Sequence, residues 1–342
     1  MPPATSGKVL VTGANGFIAS WIIQDLLEHG FSVRAVVRSA EKVEGLREVL
    51  AAHGDRLESV VVQDIQEKNA FDEAVKDVDA IIHTASPVHV SAPDPEELIG
   101  PAVQGTTSIL HSASLPGSSV KRIVVLSSIA AVIDHTRPMS VIFTEADWND
   151  RAVAEVREKD TAASPGAKYS ASKVLAERAA WDLFLDGRES GTIGWDLVTL
   201  CPSVVFGPAL GVRSPKDLSY SVGAWYHILV KEDSKMIAWI KSGWTDVRDL
   251  SVAARLALTK PEAGGERFTI CTAPLVWRQW VGIAHRLLGK SKPEDTVEDF
   301  SNVVHDVQID NTKSREVLGV QYHDMEATAA FMIEDFKQKG WC

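Results

Sequence analysis

Cysteine is scarce. The 342 residues hold three, Cys201, Cys271 and Cys342. Such a set forms no paired disulfide framework and has no metal-ligand spacing, so no metal is expected and a reducing compartment is. There is also no apolar run of about 18 residues, the length a bilayer-spanning helix needs. Basic charge is in deficit as well: 35 Lys and Arg stand against 46 Asp and Glu, a formal net charge of −11. That field repels nucleic acid and anionic membranes, and neither is expected as a partner. A first strand within ten residues of Met1 leaves no room for a signal or transit peptide, and Cys342 is misplaced for prenylation. A cytoplasmic protein is expected.

Apolar residues are plentiful, at 45% with 24% charged, the composition of a soluble protein with a sizeable core. The length exceeds that of most single compact domains. Through the first two hundred residues, apolar runs alternate with amphipathic segments. The runs lie at 9–12, 32–37, 57–62, 80–84, 122–127 and 196–200; the helical patterns lie at 17–29, 41–52, 69–76, 95–115 and 169–187. This alternation predicts an α/β fold with a parallel sheet buried on both faces. Residues 134–166 break the rhythm as a surface excursion with one short helix near 150–158. Beyond Pro202 the spacing predicts helices at 217–230, 249–259, 276–289, 311–318 and 323–338, with strands at 236–241 and 267–271. Six of the ten tryptophans fall from position 225 onward, which suggests a smaller lobe built on flat rings. The division expected is a nucleotide-binding core over 1–204, to which segments at 246–275 return, and a mostly helical substrate lobe over 205–342.

Three motifs carry chemistry. Val9–Val11 runs into Gly13-Ala14-Asn15-Gly16-Phe17-Ile18-Ala19 and then a helix. That order of strand, glycine turn and helix is what dinucleotide binding requires: Gly13 allows the tight turn, Gly16 the approach of a pyrophosphate, Ala19 close packing. An acid gripping the adenosine ribose would lie about twenty residues later. Val36 and Val37 occupy that place, followed by Arg38, with Lys42 nearby. A guanidinium there favours a 2′-phosphate, hence NADP(H). Tyr169-x-x-x-Lys173 sets a phenol and an ammonium on one helix face, where the cation favours the phenolate. Ser127-Ser128 ends the fifth strand at the ligand crevice, and local sequence leaves the choice between the two open. The histidine His83 is read as a satisfied core residue, and Arg248-Asp249 as a stitch between lobes.

Together these features resemble the short-chain dehydrogenase/reductase superfamily in its extended branch. More narrowly, they resemble the dihydroflavonol-reductase-like fungal aldehyde and ketone reductases of methylglyoxal type. Matching stretches include His83-Thr84-Ala85-Ser86-Pro87, Pro202-Ser203-Val204-Val205-Phe206-Gly207-Pro208 and Asp246-Val247-Arg248-Asp249. The resemblance implies a Rossmann-type doubly wound sheet, with Ser128 catalytic, Tyr169 the acid and Lys173 holding the nicotinamide ribose. It also implies that Asn15, Phe17, Ile18, Thr84, Ala85, Ser86, Pro202 and Val205 line the cofactor, with Asp64 and Ile65 at the adenine. Val88, Ile129, Asp134 and Trp225 are expected beside Ser128 and Tyr169 at the substrate.

Departures narrow the class. Ile129-Ala130 stands where sugar-nucleotide dehydratases carry an Asp-Glu pair. Pro165–Tyr169 lacks the Asn-Trp-Tyr-Cys-Tyr run of cinnamoyl-CoA reductases, which argues against a CoA thioester. The reading is an NADPH-dependent carbonyl reductase, monomeric or homodimeric. Its rivals are an extended-branch steroid or nucleotide-sugar dehydrogenase or epimerase, and a non-catalytic NADP-binding regulator.

Overall fold

The computed structural model describes residues 3–86, 92–138, 141–233, 242–290 and 307–342. Its first half follows the alternating pattern: β1 (Lys8–Val11), α1 (Phe17–Glu28), β2 (Ser32–Val37), α2 (Ala40–Val49), β3 (Leu57–Val61), β4 (Ala80–His83), α3 (Glu96–Ala113) and β5 (Arg122–Leu126). Next come β6 (Ile142–Phe143), α4 (Asp150–Lys159), α5 (Pro165–Ser190), β7 (Asp196–Pro202) and β8 (Val204–Phe206). The remainder is α6 (Tyr220–Trp225), β9 (Gly243–Asp246), α7 (Val247–Thr259), β10 (Arg267–Ile270), β11 (Ala273–Pro274), α8 (Trp277–Leu287), β12 (Gln308–Ile309) and α9 (Met325–Gln338).

Seven strands form one sheet in the order β10-β7-β5-β4-β1-β2-β3, and every pairing in it is parallel. β1 pairs with both β2 and β4, so the chain reverses its direction of travel across the sheet at β1. Ligands bind at such a reversal, outside the carboxyl ends of the strands. Period-two alternation buries both faces. Val9 and Val11 join an apolar layer with Ile22, Leu26 and Leu250, while Leu10 joins another with Ile81, Ile109 and Ile123.

A second lobe surrounds the small sheet β11-β9-β8. Its core gathers Phe206, Trp225, Trp244, Trp277, Trp280, Met332 and Phe336. The chain does not stay there: α7 packs on α1, and β10 takes the edge beside β7. Among the described residues no helix is long and apolar enough to cross a membrane.

The expectation at 69–76 is corrected. That segment is a chain of turns, because Asn69 and Asp77 bracket it with φ of 64° and 56°, left-handed residues that stop a helix. The helix carrying Tyr169 begins earlier than expected, at Pro165. Ser164 caps it, its hydroxyl accepting from Ala167 N, and proline is at home in a first helical turn. The expected strand at 236–241 lies outside the described residues.

Candidate active site

The glycine turn is closed by its neighbours. Gly13 has φ of 64°, and a Cβ there would stand 3.2 Å from both Ala85 Cα and Thr84 Oγ1. Thr12 fastens the turn to the end of β4. Its Oγ1 accepts the backbone N–H of Thr84 and of Ala85, each at 3.1 Å, and lies 3.0 Å from His83 Nδ1. With both lone pairs taken, the Thr12 hydroxyl donates to Nδ1, which places the imidazole proton on Nε2. Burial, with Lys173 adding to it, pushes the His83 pKa down to about 3. His83 is therefore neutral, and its Nε2 is buried without a partner. The sequence reading of a satisfied histidine holds for one nitrogen only.

α1 begins at Phe17 with Gly16 as its cap and no side chain bonded to the first turn. Its leading N–H groups lack intrahelical acceptors and face the turn, a ready anion site. Asn15 and Gly16 are exposed, Phe17 and Ile18 half-buried. Across β2, Arg38 and Lys42 are exposed at the start of α2, whose cap Ser39 makes no capping bond. The turn, the open helix end and these cations fit a dinucleotide bearing an extra phosphate. Asp64 is exposed and accepts from Gln66 N at 2.9 Å. Ile65 lies against Gly105, where a Cβ would come within 2.5 Å of Ile65 Cδ1.

Tyr169 and Lys173 share one face of α5. Lys173 Nζ donates to Ser86 Oγ at 2.8 Å and lies 5.7 Å from the centre of the Tyr169 ring. One ammonium thus links the end of β4 to the phenol. Beside Tyr169, Lys168 is buried and donates to the carbonyls of Ala92, Pro93 and Thr161, at 3.3, 2.5 and 2.8 Å. The two serines have different surroundings. Ser127 is buried, and its hydroxyl donates to Glu177 Oε2 at 2.7 Å. Ser128 is half-buried and opens a short turn over Ile129–Ala131, its Oγ accepting from Ala130 N at 3.2 Å. Ala131 packs on Ala171 and Val174 of α5, so Ser128 stands at the start of a turn docked to the tyrosine's helix. Pro202 and Val205 are buried where β7 passes into β8.

Two expectations at the substrate wall change. Trp225 is 0% exposed, edge-on to Trp280 at 6.0 Å and tilted against Phe336 at 6.0 Å; it is core of the second lobe. Its flat ring gave no sequence clue to which side of the lobe it faces. Asp134 is tied into its own turn by Thr136 N and Oγ1, at 2.9 and 2.7 Å. Ile129 is buried next to Ser128. Val88 lies outside the described residues. Sequence reasoning missed Thr12, Glu177 and Arg267. Only Glu177 left a signal, its spacing of four and eight from Lys173 and Tyr169 on one helix face. Burial pushes the Cys201 thiol far up, with Glu177 adding to the shift, so that thiol is no nucleophile.

Comparison with known proteins follows the same lines. The family model described as the NAD dependent epimerase/dehydratase family matches residues 9–271. The chain is 35% identical to the ketoreductase azaE of Aspergillus niger, covering 93% of this chain and 94% of that one. It is 31% identical to cinnamoyl-CoA reductase 1 of Arabidopsis thaliana, covering 98% and 91%. The crystal structure of the yeast methylglyoxal/isovaleraldehyde reductase Gre2 complexed with NADPH superposes with a TM-score of 0.85. The identity there is 31%, over 98% of this chain and all of that one.

Proposed function

Because this chain belongs to the NAD dependent epimerase/dehydratase family, we propose that it reduces neutral aldehydes and ketones to alcohols with NADPH. The observation carrying this reading is the Lys173 ammonium, set between Ser86 and the Tyr169 ring at the strand ends. The relatives named above support the class: a ketoreductase by name and a reductase bound to NADPH.

When bound, NADPH supplies the hydride. The chain's own residues do the rest. The Gly13–Ile18 turn and the start of α1 receive the pyrophosphate, Arg38 and Lys42 the 2′-phosphate, and Asp64 and Ile65 the adenine side. Thr84, Ala85, Ser86, Pro202 and Val205 line the remainder. Ser128 Oγ donates to the carbonyl oxygen of the substrate and steadies the negative charge growing there. Tyr169 delivers a proton to that oxygen, aided by Lys173, which favours the phenolate left behind. Lys173 would also hold the nicotinamide ribose. Ile129, buried next to Ser128, gives the pocket an apolar wall suited to a neutral substrate. The protein acts in the cytosol, as a monomer or homodimer.

NADPH and NADH oxidation measured over aldehydes, diketones, aryl ketones and cinnamoyl-CoA tests the whole reading. Neutral carbonyls with NADPH should give the highest kcat/KM. Arg38→Asp should weaken NADPH by roughly tenfold to a hundredfold, the worth of a hydrogen bond between charged groups. Equal use of both cofactors by the unmodified protein, or a thioester turned over far better than any neutral carbonyl, would overturn it.

A further inference from the structure

Beneath the strand ends lies a charged cluster that the reaction above does not use. Glu177 follows Lys173 by one helical turn on α5 and is 1% exposed. Ser127 Oγ donates to its Oε2 at 2.7 Å, and Thr199 Oγ1 to its Oε1 at 2.8 Å. Arg267 of β10 donates from Nε to Oε1 at 2.8 Å and from Nη2 to Oε2 at 3.1 Å. A carboxylate offers about four acceptor sites, and these four short bonds fill them, with Trp181 Nε1 at 3.4 Å and Cys201 Sγ at 3.6 Å packed around the same oxygens. No neutral amide could replace it without turning its own hydrogens on a donor.

Arg267 carries the tie further. Its Nη1 donates to the carbonyls of Glu145 and Asp147 at 2.8 and 2.6 Å, and its guanidinium stacks 3.8 Å from the Trp148 ring centre. The next residue, Asn149, donates from its backbone to Ala131 O at 2.9 Å and from its amide to Ala130 O at 3.1 Å. Ser128 is thus held from both sides. Ser127 before it is fastened to Glu177, Ala130 and Ala131 after it to Asn149, and Arg267 joins the two ties. Stability alone gives little reason for such an arrangement, since apolar residues of equal volume often do as well as a buried ion pair.

We propose that Glu177, with Arg267, is a positioning residue that fastens the end of β5 to α5 and so sets the spacing of the Ser128 and Tyr169 hydroxyls. This rests on the catalytic reading of those two residues. Glu177 touches neither substrate nor cofactor; it acts through Ser127.

Ser127→Ala is the mild test, because it removes one hydroxyl from the clip and leaves the ion pair whole. Its kcat for a neutral ketone should fall about three- to tenfold, the worth of one hydrogen bond, with KM and NADPH Kd close to those of the parent and a Tm no lower than that of Thr199→Val. Glu177→Gln should lower kcat about tenfold to a hundredfold through misplacement of the serine, with NADPH Kd within a few-fold. The double variant should be no slower than Glu177→Gln alone, since both changes cut the same tie. Ser128→Ala is the control. If it abolishes turnover while Ser127→Ala keeps the parental kcat, the positioning role is wrong and the catalytic reading stands. If Ser128→Ala itself turns over normally, both fall together.

Discussion

The two lobes treat buried polar atoms in opposite ways. In the sheet lobe they are saturated: the Thr12 hydroxyl meets three partners, Glu177 accepts from Ser127, Thr199 and both arms of Arg267, and Arg122, fully buried, forks onto Asp196 at 2.7 and 2.9 Å. In the second lobe and its borders, Ser203, Thr245 and Thr272 hydroxyls and the Nε1 atoms of Trp225, Trp244, Trp277 and Trp280 are buried with no partner. Outside 203–280, the described residues hold one such atom, His83 Nε2. The second lobe takes its form from ring volume instead. Trp280 stands edge-on to Trp244 at 4.9 Å, Phe206 at 5.2 Å and Trp225 at 6.0 Å. Burying an indole is worth roughly 4–6 kcal/mol by area, which outweighs an unmade hydrogen bond of about 1–3 kcal/mol. Directional bonds fasten the sheet lobe at both ends of its strands, Arg122–Asp196 at the amino ends and Glu177 near the carboxyl ends; in the second lobe ring bulk does more of the holding.

The comparison can be pressed with substitutions in each lobe. Tyr169→Phe takes one hydroxyl from the sheet lobe and should lower turnover on the order of 10²–10⁴-fold, with NADPH affinity changed only a few-fold. Near-normal turnover would remove the chemical reason for the saturated lobe. In the second lobe Trp280→Ala should cost about 3–5 kcal/mol in urea unfolding, while the protein that remains folded binds NADPH within a few-fold of the parent. A large loss of cofactor affinity there would mean that the rings do more than hold shape.

His83 gives a pH test. It is neutral when folded, with a pKa of about 3, and takes a proton near pH 6.5 when unfolded. The unfolded state therefore binds more protons between those values. Stability is fully present above pH 6.5 and declines as pH falls towards 3. Between pH 7 and 5 this group should remove about 2 kcal/mol, and His83→Asn should lose that much less over the same interval. Parallel denaturation curves for the two proteins at both pH values would refute it. The smallest effects come from one substitution made twice. Thr199→Val breaks a bond to Glu177 and should destabilise by about 1–3 kcal/mol, whereas Thr245→Val replaces an unpartnered hydroxyl and should be neutral or stabilise by about 1 kcal/mol. The same sign at both sites would erase the contrast between the lobes.

What was legible in the sequence was local or periodic. The glycine turn, the alternation of apolar runs and the Tyr169–Lys173 spacing each lie within one or two elements. The choice between Ser127 and Ser128 is not local, since it depends on a carboxylate 50 positions away and on the arginine of a strand further still. β8, β9 and β11 are too short for a period to show, and their pairing exists only once the lobe is assembled. Trp225 could have been wall or core because an apolar ring suits both. The turns at 69–76 keep buried apolar residues such as Phe71 and Val75, so their spacing imitates a helix.

Arg267 also bears on how the chain is made. Tyr169, Lys173, Ser128 and Glu177 all leave the ribosome before it does, and so do Arg122 and Asp196. The carbonyls of Ala257 and Leu258 that complete the shell of Arg122 emerge late too. At about 5–20 residues per second, several seconds of synthesis separate Glu177 from its cation. A nascent sheet that closed in that interval would bury a carboxylate without its counter-charge, a penalty of about 3–5 kcal/mol. The amino-terminal two hundred residues hold Ser128, Tyr169 and Lys173, yet they must wait, open, for the edge strand to arrive.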